Sequence, residues 1–75
     1  MQEQLHPLTE YGKQRGLTQQ QTAAVFEINY GTFRQLVSGH TGASFSRAEG
    51  WEHSSEGAVK AIEVMRWQKL NRKAA

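Results

Sequence analysis

The sequence predicts an all-α fold: one compact five-helix domain over residues 1–75, with a helix-turn-helix and a long C-terminal helix. Helix caps and stops are the first observation. Thr18 and Gln21 form a T-x-x-Q capping box, Asn29 can cap a following helix, and Gly39 can end it. Apolar residues recur at helical spacing, and no stretch of useful length alternates as a β-strand does. A chain of 75 residues forms a small core, so we expect marginal stability or dimerisation.

The first three helices are predicted in the N-terminal half of the chain. Pro7 suits the first position of a helix, which we expect to run to a stop at Gly16. Two short helices joined by a tight turn follow over residues 18–38. The polar residues 1–6 and residues 72–75 are predicted to fray.

Two further helices are predicted after the helix-turn-helix. Ser46 and Glu49 form a second capping-box pattern, which indicates a short fourth helix to about Glu52. Ser54 or Ser55 can cap the final helix. We expect this helix to be the longest in the chain and to extend to about residue 73.

The final helix carries two apolar faces at 100° per residue. One stripe, predicted to pack on the domain, consists of Ala58, Val59, Ala61, Ile62 and Met65. Val64 and Trp67 fall outside this stripe, and Leu70 lies near its margin. Because Trp is enriched among interface anchors, we expect this second face to form a homodimer contact, with Trp51 packing there or in the core. The alternative is that Trp67 folds back over the edge of the core.

Composition excludes several classes of site. The chain has no cysteine, which excludes disulfides and Cys-based zinc sites. His6, His40 and His53 lie far apart without partners at helical spacing, so we expect no metal. The glutamates have no convergent histidine or Gly-rich loop, so we expect neither catalysis, nor a cofactor, nor a small-molecule ligand. No run is long enough to span a membrane and MQEQLHPL is unlike a signal peptide, which predicts a cytoplasmic protein without a membrane partner.

Charge is segregated along the chain. Nine Lys and Arg residues against seven Glu give a formal net charge of +2. Between Ile28 and Ala48 the only charged residues are Arg34 and Arg47, and the last ten residues carry four cations and no acid. Such a chain can present one face to an anion while keeping its acids elsewhere. An ordinary solvated surface is the alternative.

Five apolar residues are spaced to interlock across the helix pair: Ala23, Phe26, Ile28, Phe33 and Leu36. With the stop at Gly39 and Phe45 after a short loop, this pattern resembles the Cro/repressor (lambda repressor-like, XRE-like) helix-turn-helix family of phage and bacterial regulators. The resemblance covers residues 17–45 and implies that Phe45 joins the core. Glu27 stands where the family has a turn glycine, and Thr22 where it has an apolar residue. Glu27 therefore predicts either a left-handed residue or a relaxed turn.

The resemblance implies that the second motif helix enters the major groove of double-stranded DNA, where base edges show distinct donor and acceptor patterns. The residues expected to face the bases are Tyr30, Gly31, Arg34 and Gln35. Arg34 can bridge guanine O6 and N7, and Gln35 can bridge adenine N6 and N7. Contacts to the DNA backbone are expected from Thr18, Gln19, Gln20, Asn29, Thr32, Ser38, His40 and Thr41. The alternative for these polar side chains is a plain solvated surface.

The leading hypothesis is a sequence-specific transcriptional repressor, associated with the nucleoid of a prokaryotic cell. A homodimer would place two recognition helices in half-sites about 34 Å apart on an inverted repeat. One alternative is an antitoxin-type or other interaction module that binds a partner chain through the C-terminal helix. RNA binding or accessory DNA bending is a third possibility.

Overall fold

The computed structural model describes residues 5–71, which form five α-helices and no β-strand. The helices are α1 (Pro7–Gln14), α2 (Gln19–Val25), α3 (Tyr30–Ser38), α4 (Phe45–Ser54) and α5 (Ala61–Asn71). The prediction of an all-α, five-helix chain is confirmed over this range. Between residues 5 and 71, no helix has both the length and the apolar character needed to cross a membrane.

One apolar core joins all five helices. Leu8 from α1, Phe33 from α3 and Val64 from α5 are fully buried in it. The five residues predicted to interlock across the helix pair are buried as well, with exposed fractions between 0% and 6%. Because α2 and α3 bury these side chains together, their relative position is fixed by packing.

The start of α1 is anchored by His6. Its Nδ1 accepts a hydrogen bond from the Leu8 N–H at 3.1 Å, so the imidazole acts as the N-cap of the helix. The ring is 1% exposed, and its centroid lies 4.7 Å from that of the Trp67 ring in an edge-on arrangement. The prediction that residues 1–6 fray is therefore wrong at His6, because burial against α5 holds it. Residues 1–4 and 72–75 lie outside the described range.

Helices α1 and α2 approach each other closely at Gly12. The residue is buried, and a Cβ built on it would overlap Thr22 Oγ1 and lie 3.1 Å from both Thr22 Cβ and Cγ2. Thr22 is 2% exposed, and its hydroxyl donates to the Thr18 carbonyl oxygen at 2.8 Å. This bond explains how a polar residue occupies a position where an apolar one was expected. The glycine that weakens α1 locally is the residue that lets α2 dock.

Helix α4 begins earlier and ends later than predicted. Ser44, not Ser46, is its N-cap, and the Ser44 Oγ accepts from the Arg47 N–H at 3.2 Å. The helix continues to Ser54, beyond the predicted end near residue 52. Phe45 lies in its first turn and is 48% exposed, so the expectation that this side chain joins the core is wrong.

Neither Ser54 nor Ser55 caps the last helix. Ser54 ends α4, and the buried Ser55 accepts from the Val59 N–H at 2.9 Å within a turn. Glu56 and Gly57 adopt positive φ values of 54° and 88°, which prevents the helix from continuing. Helix α5 therefore begins only at Ala61, whose N–H donates to Glu52 Oε1 at 2.8 Å.

The stripe predicted to pack on the domain is only part of the buried surface. Val59 and Ala61 are buried and Met65 packs against the core, as predicted, but other residues of α5 are buried as well. Val64 and Trp67 are 0% and 7% exposed, whereas Ile62, assigned to the core stripe, is 59% exposed. Trp51 on α4 is 4% exposed. The predicted dimer contact through Val64 and Trp67 is wrong, because both are buried within one chain, and Trp51 packs in the core, one of its two predicted positions. Trp67 follows the alternative of folding against the core, and Leu70 is 68% exposed.

Candidate nucleic-acid interface

The turn between α2 and α3 is built around a left-handed residue. Glu27 has a φ of 56°, the first of the two conformations that the sequence predicted. The Ile28 N–H donates to the Ala23 carbonyl oxygen at 2.9 Å, and the Glu27 N–H donates to that of Ala24 at 3.1 Å. These two bonds form a Schellman motif, in which glycine is the usual left-handed residue. Glu27 is exposed and adopts the left-handed conformation, while its neighbours Phe26 and Ile28 are buried.

Helix α3 is held at both ends and along one face. Asn29 Oδ1 accepts from the Gly31 N–H at 2.9 Å, as the predicted N-cap. Gly39 has a φ of 87° and ends the helix in the left-handed region, also as predicted. Phe33 and Leu36, at 0% and 1% exposure, face the core. The opposite face of α3 is thus presented rigidly to the outside.

The outward face of α3 meets the start of α2 in one polar surface, which we call the recognition face. Arg34 and Gln35 are exposed at its centre. The Tyr30 hydroxyl donates to Gln19 Oε1 at 3.3 Å and so links α3 to α2. The Arg34 guanidinium carbon lies 5.9 Å from the centroid of the Tyr30 ring. A shallow depression on this face is lined by Gln19, Gly31, Arg34, Gln35, Val37 and Ser38.

The predicted capping box at the start of α2 is present. Thr18 Oγ1 accepts from the Gln21 N–H at 3.1 Å, and Gln21 Oε1 accepts from the Thr18 N–H at 2.9 Å. These bonds fix the helix start from which the side chains of Gln19 and Gln20 project into solvent. The position of Gln19 beside Tyr30 follows from this cap.

The loop after α3 folds back onto the last turn of the helix. The Gln35 carbonyl oxygen accepts from the His40 N–H at 3.0 Å and from the Thr41 N–H at 3.3 Å. Ser38 Oγ lies 3.1 Å from the same carbonyl oxygen and 2.7 Å from His40 Nδ1. These contacts place Ser38 and His40 together at one end of the recognition face.

Every residue predicted to contact DNA is accessible in the structure. Exposed residues are Thr18, Gln19, Gln20, Asn29, Gly31, Arg34, Gln35 and His40, and half-buried ones are Tyr30, Thr32, Ser38 and Thr41. The structure brings Gln19, Tyr30, Arg34 and Gln35 to one surface. Val37 also lines this surface but was not predicted, because an apolar residue four positions after Phe33 is typical of a core face.

The recognition face has few acidic residues near it in the chain. Between residues 17 and 48, Glu27 is the only acid, and Arg34 and Arg47 are the cations. In the part of the chain that the structure describes, no three His, Cys, Asp or Glu residues come together to hold a metal ion.

No protein-family model, curated protein or solved structure matches this chain.

Proposed function

We propose that this protein is a sequence-specific transcriptional regulator with a lambda repressor-like fold, acting as a homodimeric repressor on double-stranded DNA. The single observation that carries the proposal is the division of α3 into two faces. Phe33 and Leu36 bury one side, while Gly31, Arg34 and Gln35 are exposed on the other. The major groove of B-DNA admits one α-helix presented in this way.

The chemistry of the recognition face suits base edges. Arg34 has the planar donor pair that bridges guanine O6 and N7, and Gln35 has the donor and acceptor that match adenine N6 and N7. Gly31 has no side chain, so the backbone of α3 can approach the groove closely at its first turn. The bond from Tyr30 to Gln19 supports this orientation by joining the two motif helices.

Selection of binding sites from random duplex DNA tests the proposal directly. We expect the selected duplexes to share an inverted repeat, because two symmetry-related α3 helices would read the same half-site twice. Selected sequences without any shared motif, combined with a steep salt dependence, would instead favour non-specific binding to nucleic acid. The result would decide between a specific regulator and an accessory DNA- or RNA-binding protein.

Arg34→Ala is expected to weaken binding to the selected duplex by about 1–3 kcal/mol and to relax base preference at one position of each half-site. The physical reason is the loss of a bidentate contact to one guanine. Fluorescence anisotropy titrations against the selected duplex and its single-base variants measure both effects. Lys13→Ala removes one positive charge from the exposed surface of α1, away from both proposed contact surfaces, and should leave affinity and base preference nearly unchanged. Unchanged affinity and preference in Arg34→Ala would contradict the proposed orientation of α3.

A homodimer would have to form through side chains that one chain leaves exposed. Ile62 and Leu70 are the largest such apolar side chains on α5, at 59% and 68% exposure. Their exposure favours α5 as the contact surface, and equally supports the second candidate function, an interaction module that binds a different chain there. Sedimentation equilibrium of the purified protein separates the two, because only the first predicts a dimer without a partner.

Ile62→Asp with Leu70→Asp is expected to weaken dimerisation at least tenfold, since charged groups would have to be buried in the contact. Sedimentation equilibrium over a range of concentrations measures the change. Val25→Asp is the matched control, because Val25 is also an exposed apolar residue, at 41%, but lies on α2. Equal dimerisation of the double variant and the wild type would exclude this face of α5.

A further inference from the structure

Ser38 and His40 form a hydrogen-bonded pair at the C-terminal end of α3. Ser38 Oγ is 2.7 Å from His40 Nδ1 and 3.1 Å from the Gln35 carbonyl oxygen. His40 is exposed, and its backbone is fixed by the bond from its own N–H to Gln35. The imidazole is therefore held beside the recognition face by two contacts.

Counting protons distinguishes the two charge states of this pair. The Ser38 hydroxyl has one proton, and the ring of a charged histidine has a proton on each nitrogen. With His40 charged, Nδ1 donates to Ser38 and Ser38 donates to Gln35, and the Nε2–H is left to donate outward. A neutral His40 has one ring proton. If that proton is on Nδ1, Nε2 has none to donate outward. If it is on Nε2, Nδ1 can only accept, and Ser38 must donate its proton to Nδ1 and not to Gln35. Only the charged form satisfies both internal contacts and still offers an outward donor.

We propose that the Ser38–His40 pair is a proton-linked phosphate contact, in which His40 Nε2 donates to a DNA phosphate and binding of DNA takes up a proton at His40. The inference rests on the proposed function of the recognition face. A phosphate is an anion that only accepts hydrogen bonds, so a charged donor adds a Coulomb attraction that a neutral donor lacks. The C-terminal end of a helix carries partial negative charge, so a phosphate near α3's end is favoured only with a cation between them.

The charged groups on the surrounding elements leave histidine as the group that responds to pH. The charged and titratable side chains on these elements are Arg34 on α3, Arg47, Glu49, Glu52 and His53 on α4, and Glu63, Arg66 and Lys69 on α5. The end of α5 adjoins the loop because Gln68 exchanges hydrogen bonds of 2.6 and 3.1 Å with the Ala43 backbone. Arginine, lysine and glutamate ordinarily keep their charge between about pH 6 and 8, whereas histidine changes its charge there.

The other two histidines can be separated from His40 by experiment. Burial lowers the pKa of His6 to about 4, so this residue stays neutral over the range of the test. His53 is exposed on α4 and serves as the matched control. His40→Gln keeps a donor and an acceptor but has no charge to gain.

The test measures affinity for the selected duplex by fluorescence anisotropy from about pH 6 to about pH 8 at constant ionic strength. We expect the wild type and His53→Gln to bind about tenfold more tightly at the acidic end, and His40→Gln to be nearly independent of pH. Calorimetric titration in two buffers of different ionisation enthalpy should show proton uptake on binding for the wild type and none for His40→Gln.

Equal pH dependence in His40→Gln and the wild type, or absence of proton uptake in the wild type, would overturn the inference. Either result would leave specific DNA binding intact, because the selected duplex is still bound. Failure to bind any duplex specifically at either pH counts against the proposed function itself. The two failures are therefore distinguishable.

Discussion

Gly12→Ala is expected to destabilise the protein by about 3 kcal/mol, because the new methyl group would overlap the Thr22 hydroxyl at the contact of α1 and α2. Thr22 cannot easily turn away, since its side chain is 2% exposed and bonded to the Thr18 carbonyl. A chain of this size has about 4–11 kcal/mol of stability in total, so the loss is a large part of it. Urea unfolding followed by circular dichroism measures the change.

Two variants isolate the clash from the effect of alanine on helix propensity. Gly50→Ala lies on α4, where an added Cβ meets no atom of the described residues within 4 Å, so it should stabilise the protein by about 1 kcal/mol. The double variant Gly12→Ala with Thr22→Ala lacks Oγ1 and Cγ2 of residue 22, which the new methyl group would meet. It should therefore be considerably more stable than Gly12→Ala alone. The Thr18 carbonyl would still accept from the residue 22 N–H, at 2.9 Å in the wild type. A Gly12→Ala protein as stable as Gly50→Ala would disprove the close approach.

Acid is expected to remove about 3 kcal/mol of stability through His6 as the pH falls from about 6.5 to about 4. Burial lowers the pKa of His6 from 6.5 to about 4 in the folded protein, and its Nε2 has no hydrogen-bond partner among residues 5–71. Between these values the unfolded chain binds a proton that the folded protein does not. The free energy of unfolding therefore has its full His6 contribution above pH 6.5 and loses it as the pH falls towards 4.

Urea titrations at a series of pH values measure this loss, and a variant separates it from the titration of carboxyl groups. His6→Asn keeps a side chain that can cap α1 but does not titrate, so its stability should fall less between pH 6.5 and 4 than that of the wild type. His53→Asn, at an exposed site, should retain the wild-type slope. Equal slopes for His6→Asn and the wild type would show that the His6 site does not exclude the proton.

The parts of the fold that depend on neighbouring residues could be predicted from the sequence. The capping box at Thr18, the cap at Asn29 and the stop at Gly39 act within a few residues of themselves, and all three are present. The core positions of α2 and α3 follow from helical spacing in the same way. The family resemblance, in which the position of Glu27 is a turn glycine, restricted this residue to two conformations, and the left-handed one is observed.

The parts that depend on distant contacts could not be predicted. A serine with a glutamate three residues later marks a capping box at Ser46, but Ser44 is the residue that caps α4. The buried face of α5 depends on where this helix begins, and Glu52 fixes that point by binding the Ala61 N–H from another helix. Spacing alone therefore placed Val64 and Trp67 on the wrong side.

The candidate site was predictable as a set of residues but not as a set of contacts. The positions of Arg34 and Gln35 on the outward face follow from the burial of Phe33 and Leu36 at helical spacing. The pairing of Ser38 with His40 could not be inferred, because it also requires the loop after Gly39 to fold back onto the Gln35 carbonyl oxygen. Whether these residues bind DNA remains the prediction that site selection tests.

The contact between His6 and Trp67 links the order of synthesis to the order of folding. Trp67 is added to the growing chain about 60 residues after His6, so the first turn of α1 lacks its buried neighbour until α5 has left the ribosome. The α2–α3 pair, by contrast, holds its caps and its turn within residues 18–39. We therefore expect the helix-turn-helix to gain helical structure on the nascent chain first, and α1 to become fixed only when α5 packs against it.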